Sequence, residues 1–377
     1  MNVKKVPPPQ AVEQLTAILD SPEFVALINT LEYVRWTGRP GYPVRAMVGM
    51  CLIKNLYELP EWTRTARFVK EHPTLQEILG CTPSHWACYR FARQLRVRDG
   101  WALTICINRV LAGLREQFPE MGKTIAIDGS DMPAYANGHR RKFKSRVEHK
   151  PEGYSDPEAS WGHRSAISTR GSNGYYGYEL HAAVDTATDL PLAWTVQTAK
   201  DSEHNFPLGL IDKANARGFH VETAVMDKGY DSDSLHFWSM RRDVTPIIAI
   251  KQTEAVKKGG TEPPHCVHGA WTFAGADYGR KATQWRCPTG DCQPASVWVK
   301  ADRLHPLVPR GSERFKTLYR KRGSVERAFG RLKHDWGLLP LRVRGMDRVQ
   351  LHADLTILAQ LSCALARSRA QAVPLAA

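Results

Sequence analysis

The chain has 377 residues, 42% of them hydrophobic and 24% charged, as is typical of a soluble globular protein with two or three domains. Its formal net charge of +14 favours a polyanionic partner, nucleic acid above all, although a basic protein without such a partner would have the same composition. The N-terminal segment lacks the apolar core of a signal peptide, and no run of about 18 apolar residues predicts a membrane span. We therefore expect a cytoplasmic protein without a membrane partner, whose eight cysteines are thiols or metal ligands and do not form a disulfide framework.

Residues 1–118 are predicted to form a helical domain. The segment 43–59 has a proline at its first turn and then apolar residues at helical spacing. The segment 83–96 begins with Pro83 and the N-cap candidate Ser84 and carries three arginines. A basic last helix would suit a DNA-binding domain of the helix-turn-helix kind, but a packing or dimerisation domain fits the pattern equally well.

A mixed α/β pattern begins after residue 118. An apolar strand is predicted to end at Asp128, and the segment 175–198 predicts two strands around the turn TATDLP. A helix, a strand ending at Asp227, a second helix and a strand over 244–251 follow. This order predicts a single mixed α/β domain.

The chain changes character again between residues 252 and 310, where Gly, Pro, Trp and Cys are frequent and the strand-like pieces are short. We interpret this segment as a small β-rich insertion. An amphipathic helix is predicted over 347–370, beyond the insertion.

The sequence YRKRGSVERAFGRLK, residues 319–333, places four polar residues on one side of a predicted helix. Tyr319, Arg322, Glu326 and Lys333 are separated by three, four and seven positions, which keeps them on one helical face. A surface ion pair between Glu326 and Arg322 would explain part of this pattern without any function.

Three acids are candidates for a metal site. Asp128 and Asp227 each lie at the end of a predicted apolar strand, and the ends of neighbouring strands in one sheet can bring two carboxylates together. Glu326 would be delivered by the helix. Three converging carboxylates repel one another unless cations lie between them, and Mg²⁺ prefers carboxylate oxygens. Each acid taken alone could be a turn, cap or surface residue, so the hypothesis depends on their combination.

These motifs resemble those of bacterial insertion-sequence transposases with an RNase H-like DDE catalytic domain. The Tyr-x2-Arg-x3-Glu-x6-Lys spacing matches one group of the family without a gap, AIDGS resembles its first-Asp strand, and MDKGYD resembles its second-Asp motif. The segment TGRPGYPVRAM resembles the N-terminal domain of such proteins. The resemblance implies an RNase H-like domain (119–251 and 311–377) with a β-rich insertion (252–310), preceded by an all-α domain (1–118).

The same resemblance implies cut-and-paste DNA transposition. Asp128, Asp227 and Glu326 would hold two Mg²⁺ ions, for which Mn²⁺ could substitute, during hydrolysis at the element ends and strand transfer to target DNA. Arg322 and Lys333 would hold DNA phosphates near the cut.

Further implications concern partners and surroundings. Tyr319 would hydrogen-bond a terminal phosphate, or else pack against the sheet. The partner would be double-stranded DNA, contacted also by the basic cluster that includes Arg140, Arg141 and Lys142, although a charge run can equally be a solvated face. A homodimer follows from the need to pair two ends, and a nucleoid-associated location from the substrate. A DNA-binding protein without catalysis and a plain metal-dependent nuclease remain alternatives.

The insertion contains a possible zinc site. Cys266, His268, Cys287 and Cys292 form a Cys-x-His and Cys-x4-Cys set, and zinc takes four such ligands in a tetrahedron. His265 could replace His268, and free thiols in a small β domain are the alternative.

Overall fold

The computed structural model describes residues 9–34, 41–139, 153–163, 174–257 and 260–372. Its first part is helical, as predicted. Ser84 caps the sixth helix, since its side chain accepts a hydrogen bond from the amide of Ala87 at 3.3 Å, and Gly80 ends the fifth in a left-handed conformation with φ of 68°. The helices are α1 (Pro9–Leu19), α2 (Pro22–Tyr33), α3 (Val44–Leu56), α4 (Trp62–Glu71), α5 (Pro73–Leu79), α6 (His85–Val97) and α7 (Gly100–Gln117).

A six-stranded mixed sheet forms the second part. Its main order is β4-β3-β1-β5-β6, with β2 paired to the beginning of β3. Strand β3 is antiparallel to β1 and β4, whereas β1, β5 and β6 are parallel. The strands are β1 (Thr124–Pro133), β2 (Ser160–His163), β3 (Gly174–Asp185), β4 (Pro191–Thr198), β5 (Thr223–Met226) and β6 (Thr245–Ile248).

Two features of this sheet differ from the sequence prediction. Strand β1 does not end at Asp128 but continues to Pro133, because its second half pairs with β3 after the parallel pairing with β5 has ended at Ile127. The short strand β2 was not predicted. The mixed α/β class itself is confirmed.

The helices of this domain follow the predicted order. The predicted helix over 319–333 is divided in two, however, because Lys321 and Arg322 make backbone hydrogen bonds to the third residue before them, Leu318 and Tyr319, as in a 3₁₀ turn. The helices are α8 (Pro207–Ala216), α9 (Asp233–Met240), α11 (Glu313–Arg320), α12 (Gly323–His334) and α13 (Met346–Ala372).

The β-rich insertion is confirmed as well. A short helix, α10 (Glu254–Lys257), precedes a two-stranded hairpin and a three-stranded antiparallel sheet of order β11-β10-β9. The chain returns to the main domain through Arg303, which donates to the buried carboxylate of Asp231 at 2.8 Å. The strands are β7 (His265–Cys266), β8 (Gly269–Ala270), β9 (Thr272–Asp277), β10 (Ala282–Arg286) and β11 (Ser296–Lys300).

Helix α13 joins the two main parts. It packs against α1, α3 and α7 on one side and against β4 on the other. Among the described residues, one stretch, Met346–Gln371, is long and apolar enough to cross a membrane, but 67% of its most apolar window is buried inside the protein. This degree of burial is that of a core helix, and the side chain of Trp194 on β4 donates a hydrogen bond to Asp354 of α13 at 2.7 Å.

Candidate active site and family

The sheet brings Asp128 and Asp227 to neighbouring positions. The parallel pairing of β1 with β5 ends at Ile127 opposite Met226, so that Asp128 is the next residue of β1 and Asp227 directly follows the end of β5. Apolar, buried residues hold both strands in the centre of the sheet, so the register fixes where the carboxylates emerge. The backbone amides of Gly129 and Gly229 donate to Asp128 and Asp227, respectively, and orient their carboxylates.

Arg322 lies between the first and third predicted acids. Its guanidinium contacts Asp128 Oδ2 at 3.4 Å and Glu326 Oε1 more closely. Because the 3₁₀ turn ends α11 just before it, Arg322 stands at the start of α12, one turn from Glu326. The Glu326 side chain is 59% exposed, so Arg322 links a partly buried acid to one that faces solvent.

The remaining residues of the signature take different positions. Lys333, near the end of α12, donates to Asp131 Oδ1 at 3.0 Å and thereby binds the helix to β1. Tyr319 stacks on Phe315 with ring centroids 5.7 Å apart and packs against a small core under β5 and β6 that contains Val225. The packing role for Tyr319 is therefore the one that this conformation favours.

Sequence reasoning missed two further acids. Glu179 on β3 lies directly opposite Asp131 on β1. Glu203 lies in a 3₁₀ turn before α8 and is close to Asp227, because both acids contact the same glycine. A Cβ atom added at Gly229 would be 2.6 Å from a carboxylate oxygen of Asp227 and 2.6 Å from one of Glu203. A glutamate inside a strand whose residues are mostly buried could have drawn attention to Glu179, but no motif marks Glu203.

The density of acids alters their protonation. Burial, with repulsion from Asp227, raises the pKa of Asp128 to about 7, although the Gly129 amide lowers it. Burial and repulsion from Glu203 likewise raise the pKa of Glu179 to about 7. Burial and repulsion from Asp227 raise the pKa of Glu203. The site is therefore short of positive charge.

This donor set fits a divalent cation. Carboxylate oxygens are what Mg²⁺ and Mn²⁺ bind, and a cation among them would relieve the repulsion that raises the pKa values. Arg322 supplies part of that compensation. Among the described residues, the acid oxygens are not gathered as tightly as metal ligands: the one group of three or more candidate ligand atoms within 4.8 Å of one another consists of cysteine sulfurs.

The cysteines in question are Cys266, Cys287 and Cys292 of the insertion. His268, which the sequence pattern joined to them, lies on the exposed turn between β7 and β8 and does not belong to the group. The hydroxyl of Thr289, together with backbone amides, lowers the pKa of Cys287, so a thiolate is favoured there.

A basic cleft opens where the N-terminal helices meet the segment between α12 and α13. Its volume is about 680 Å³, and none of the described residues that line it is acidic. The aromatic ring of Tyr135, two residues beyond β1, is flanked by the guanidinium groups of Arg342 and Arg344 at 5.2 and 5.1 Å. The other basic residues of the lining are Lys54, Arg93, Arg96 and Arg348. The predicted contacts Arg140, Arg141 and Lys142 lie outside the described residues.

The sequence matches two families of known proteins. A family described as "Transposase DDE domain" matches residues 119–361, and one described as "Transposase domain (DUF772)" matches residues 2–93. No curated protein matches the sequence. Among solved structures the chain is similar to a piggyBac transposase synaptic complex with hairpin DNA, at 10% identity and a TM-score of 0.42, over 97% of this chain and 76% of that one. Since the first match spans more than half of the 377 residues, the chain belongs to the transposase DDE domain family.

Proposed function

We propose that this transposase moves DNA by a cut-and-paste pathway, with Asp128, Asp227 and Glu326 as its catalytic acids. The observation that carries the proposal is the emergence of Asp128 and Asp227 from adjacent parallel strands, with Glu326 connected to Asp128 through Arg322. If Asp128 and Glu326 were only a turn residue and a surface residue, they would have no reason to contact the same arginine, since they are almost 200 positions apart in the sequence.

The proposed reaction has two in-line displacements at phosphorus. In the first, a water oxygen attacks a phosphodiester at the element end, the bond from phosphorus to the 3′ oxygen breaks, and a free 3′-hydroxyl and a 5′-phosphate result. In the second, that 3′ oxygen attacks a phosphodiester of target DNA and displaces the target's own 3′ oxygen. In each step the attacking oxygen loses a proton and the leaving 3′ oxygen gains one, and the number of phosphodiester bonds is unchanged by the second step.

The residues of the chain would bind and orient these groups. A bound pair of Mg²⁺ ions would supply charge stabilisation and an activated oxygen nucleophile. Asp128, Asp227 and Glu326 would hold the ions. The guanidinium of Arg322, which contacts two of these acids, would then be free to hold a DNA phosphate, for which its planar fork is well suited.

Double-stranded DNA is the proposed partner, and the basic cleft supports this. Tyr135 in the cleft follows Asp128 by seven residues, five of which are in β1, so the two are at most roughly 20 Å apart, or about six base pairs of duplex. A duplex engaged at the acids could therefore extend over the arginines. Two copies of the chain would act together, since two element ends must be joined to one target.

The test uses purified protein and a labelled duplex that carries the element's own end. With Mg²⁺ we expect release of a 3′-hydroxyl end and its joining to target DNA, and with EDTA or with Asp227→Asn we expect neither. Asp243→Asn, which alters an exposed carboxylate that pairs with Lys281, serves as the matched control and should cleave normally. Cleavage without joining to target DNA would support only a metal-dependent nuclease activity. Binding without cleavage in every condition would contradict it.

A further inference from the structure

The three clustered cysteines of the insertion form a second centre, separate from the acids. The sulfurs of Cys266, Cys287 and Cys292 all lie within 4.8 Å of one another, and those of Cys266 and Cys287 are 3.7 Å apart. A tetrahedral zinc ion with bonds of about 2.3 Å to sulfur separates its sulfur ligands by about 3.8 Å. The distance between Cys266 and Cys287 is thus that of two ligands of one ion, and it is too long for a disulfide bond.

The backbone around these cysteines is built to hold them. Cys266 ends the first strand of the β7–β8 hairpin, and its partner across the hairpin is Gly269. Cys287 follows β10, and its amide donates to the carbonyl of Ala295 at 3.0 Å, which closes the loop that carries Cys292. Two segments, the β7–β8 hairpin with Cys266 and the loop after β10 with Cys287 and Cys292, therefore bring the three sulfurs to the same point.

The insertion also needs a stabilising element other than its core. Between residues 260 and 300 the buried residues are few: Trp271, Ala282, Thr283, Trp285 and Cys287. The two tryptophans and Cys287 form a small cluster with the other two cysteines at its edge, while no residue of β9 or β11 is buried. A β structure with so little buried apolar surface is usually held together by disulfides or by a metal ion.

We propose that Cys266, Cys287 and Cys292 bind a structural zinc ion as thiolates. Thiolate sulfur selects zinc over Mg²⁺, so this site and the acid site would take different metals. The fourth ligand is not a cysteine of this chain, because the other five cysteines lie in α3, α6, α7 and α13 or, for Cys81, just beyond α5. Thr289, whose hydroxyl is 3.4 Å from the sulfur of Cys287, would donate to that thiolate and orient it.

The inference is independent of the proposed transposition, since a catalytically inactive chain would bind zinc equally well. The first experiment measures the zinc content of full-length protein purified without chelators or metal-affinity resin. We expect one zinc per chain, and a large loss in Cys292→Ser. Cys81→Ser, which alters a half-buried thiol outside the insertion, should retain the ion. Absence of zinc from the wild-type protein after reconstitution, or equal zinc in both variants, would overturn the proposal.

A second measurement needs no variant, in case Cys292→Ser does not fold. Wild-type protein is alkylated with and without a zinc-selective chelator, and the modified cysteines are mapped by mass spectrometry. Cys266 and Cys292, which are only partly buried, should become reactive when zinc is removed. Replacement of zinc by Co²⁺ should give the thiolate-to-cobalt charge-transfer absorption that a carboxylate site cannot produce. Equal alkylation of Cys266 and Cys292 with and without the chelator, together with no such absorption, would exclude the site.

Discussion

Arg322 is the central basic residue of the candidate active site. It contacts Asp128 and Glu326 at once, in a place where burial and the nearby carboxylates raise the pKa of Asp128. An internal cation of this kind keeps mutually repelling carboxylates together before any metal arrives. Metal binding and release of the Arg322 guanidinium toward DNA are therefore expected to be linked.

Glu326→Gln tests the third acid. The change keeps the shape of the side chain but removes its charge, so we expect cleavage to be lost while DNA binding stays equal or becomes tighter. Cleavage and binding are measured on the same labelled end. Glu313→Gln on α11, an exposed carboxylate that pairs with Lys316, is the control and should cleave normally. Near-normal cleavage by Glu326→Gln would remove this residue from the catalytic set.

Asp231 gives a prediction for stability. Burial alone would raise its pKa, but hydrogen bonds from His236, the amide of Lys251 and Arg303 lower the pKa to about 2. Its side chain is fully buried. A carboxylate with a lowered pKa contributes stability above its unfolded pKa of about 3.9, and the contribution is lost as the pH falls through the folded value.

Asp231→Asn is therefore expected to lower the free energy of unfolding at neutral pH by about 3 kcal/mol, because Arg303 would keep a charge without its buried partner. The difference from wild type should shrink as the pH falls from about 4 to 2. Asp233→Asn is the control: it pairs with the same arginine but is 86% exposed, so it should change stability by less than about 1 kcal/mol. A difference that does not vary with pH would contradict the assignment.

At the scale of elements, the position of α12 decides where Glu326 points. Asp189, in the turn between β3 and β4, accepts hydrogen bonds from Arg327 at 2.7 and 2.8 Å and from Arg331 at 3.1 Å. Lys333 adds the contact with Asp131. Ion pairs to the β3–β4 turn and to β1 thus fix α12 against the sheet, and Asp189 acts as a positioning residue.

We expect Asp189→Asn to reduce cleavage by roughly tenfold to a hundredfold, since a displacement near 1 Å of a catalytic group has effects of that size. Asparagine tolerates the backbone φ of 57° at this position, so the turn should survive. DNA binding should be little changed, which separates loss of positioning from loss of fold. Asp212→Asn, which breaks a similar two-bond pair with Arg242 on the surface, should leave cleavage intact. An equal loss in both variants would argue against positioning.

The sequence predicted elements better than it predicted contacts. Periodicity was enough to find the strand before Asp227 and the terminal helix, because burial of one face dictates which residues are apolar. The division between α11 and α12 was missed, since helical spacing continues through the turn. Glu203 and the pairing of Arg322 with Asp128 could not be predicted, because they depend on which loops the sheet order brings together.

At the scale of the whole molecule, the basic cleft connects the helical part with the catalytic sheet. Its arginines come from α6 and from the segment around the start of α13. If DNA passes over this cleft, their phosphate contacts should appear in the salt dependence of binding.

Substituting both Arg93 and Arg348 by alanine is expected to weaken DNA binding at all sequences alike and to reduce the slope of log K against log salt by about 2, close to 0.9 per lost contact. Fluorescence anisotropy over a range of salt concentrations measures this. Arg109→Ala, on the exposed side of α7 and outside the cleft lining, is the control. An unchanged slope in the double variant would show that DNA takes another path.

Helix α13 also has a consequence for biosynthesis. The ribosome makes it more than 200 residues after α7, yet α1, α3 and α7 need it to cover their apolar surfaces. Until it emerges, the early helices cannot complete their core, and a nascent chain must be protected from aggregation. A gene copy interrupted before residue 346 would consequently yield no stable helical fragment able to compete with the intact protein for DNA.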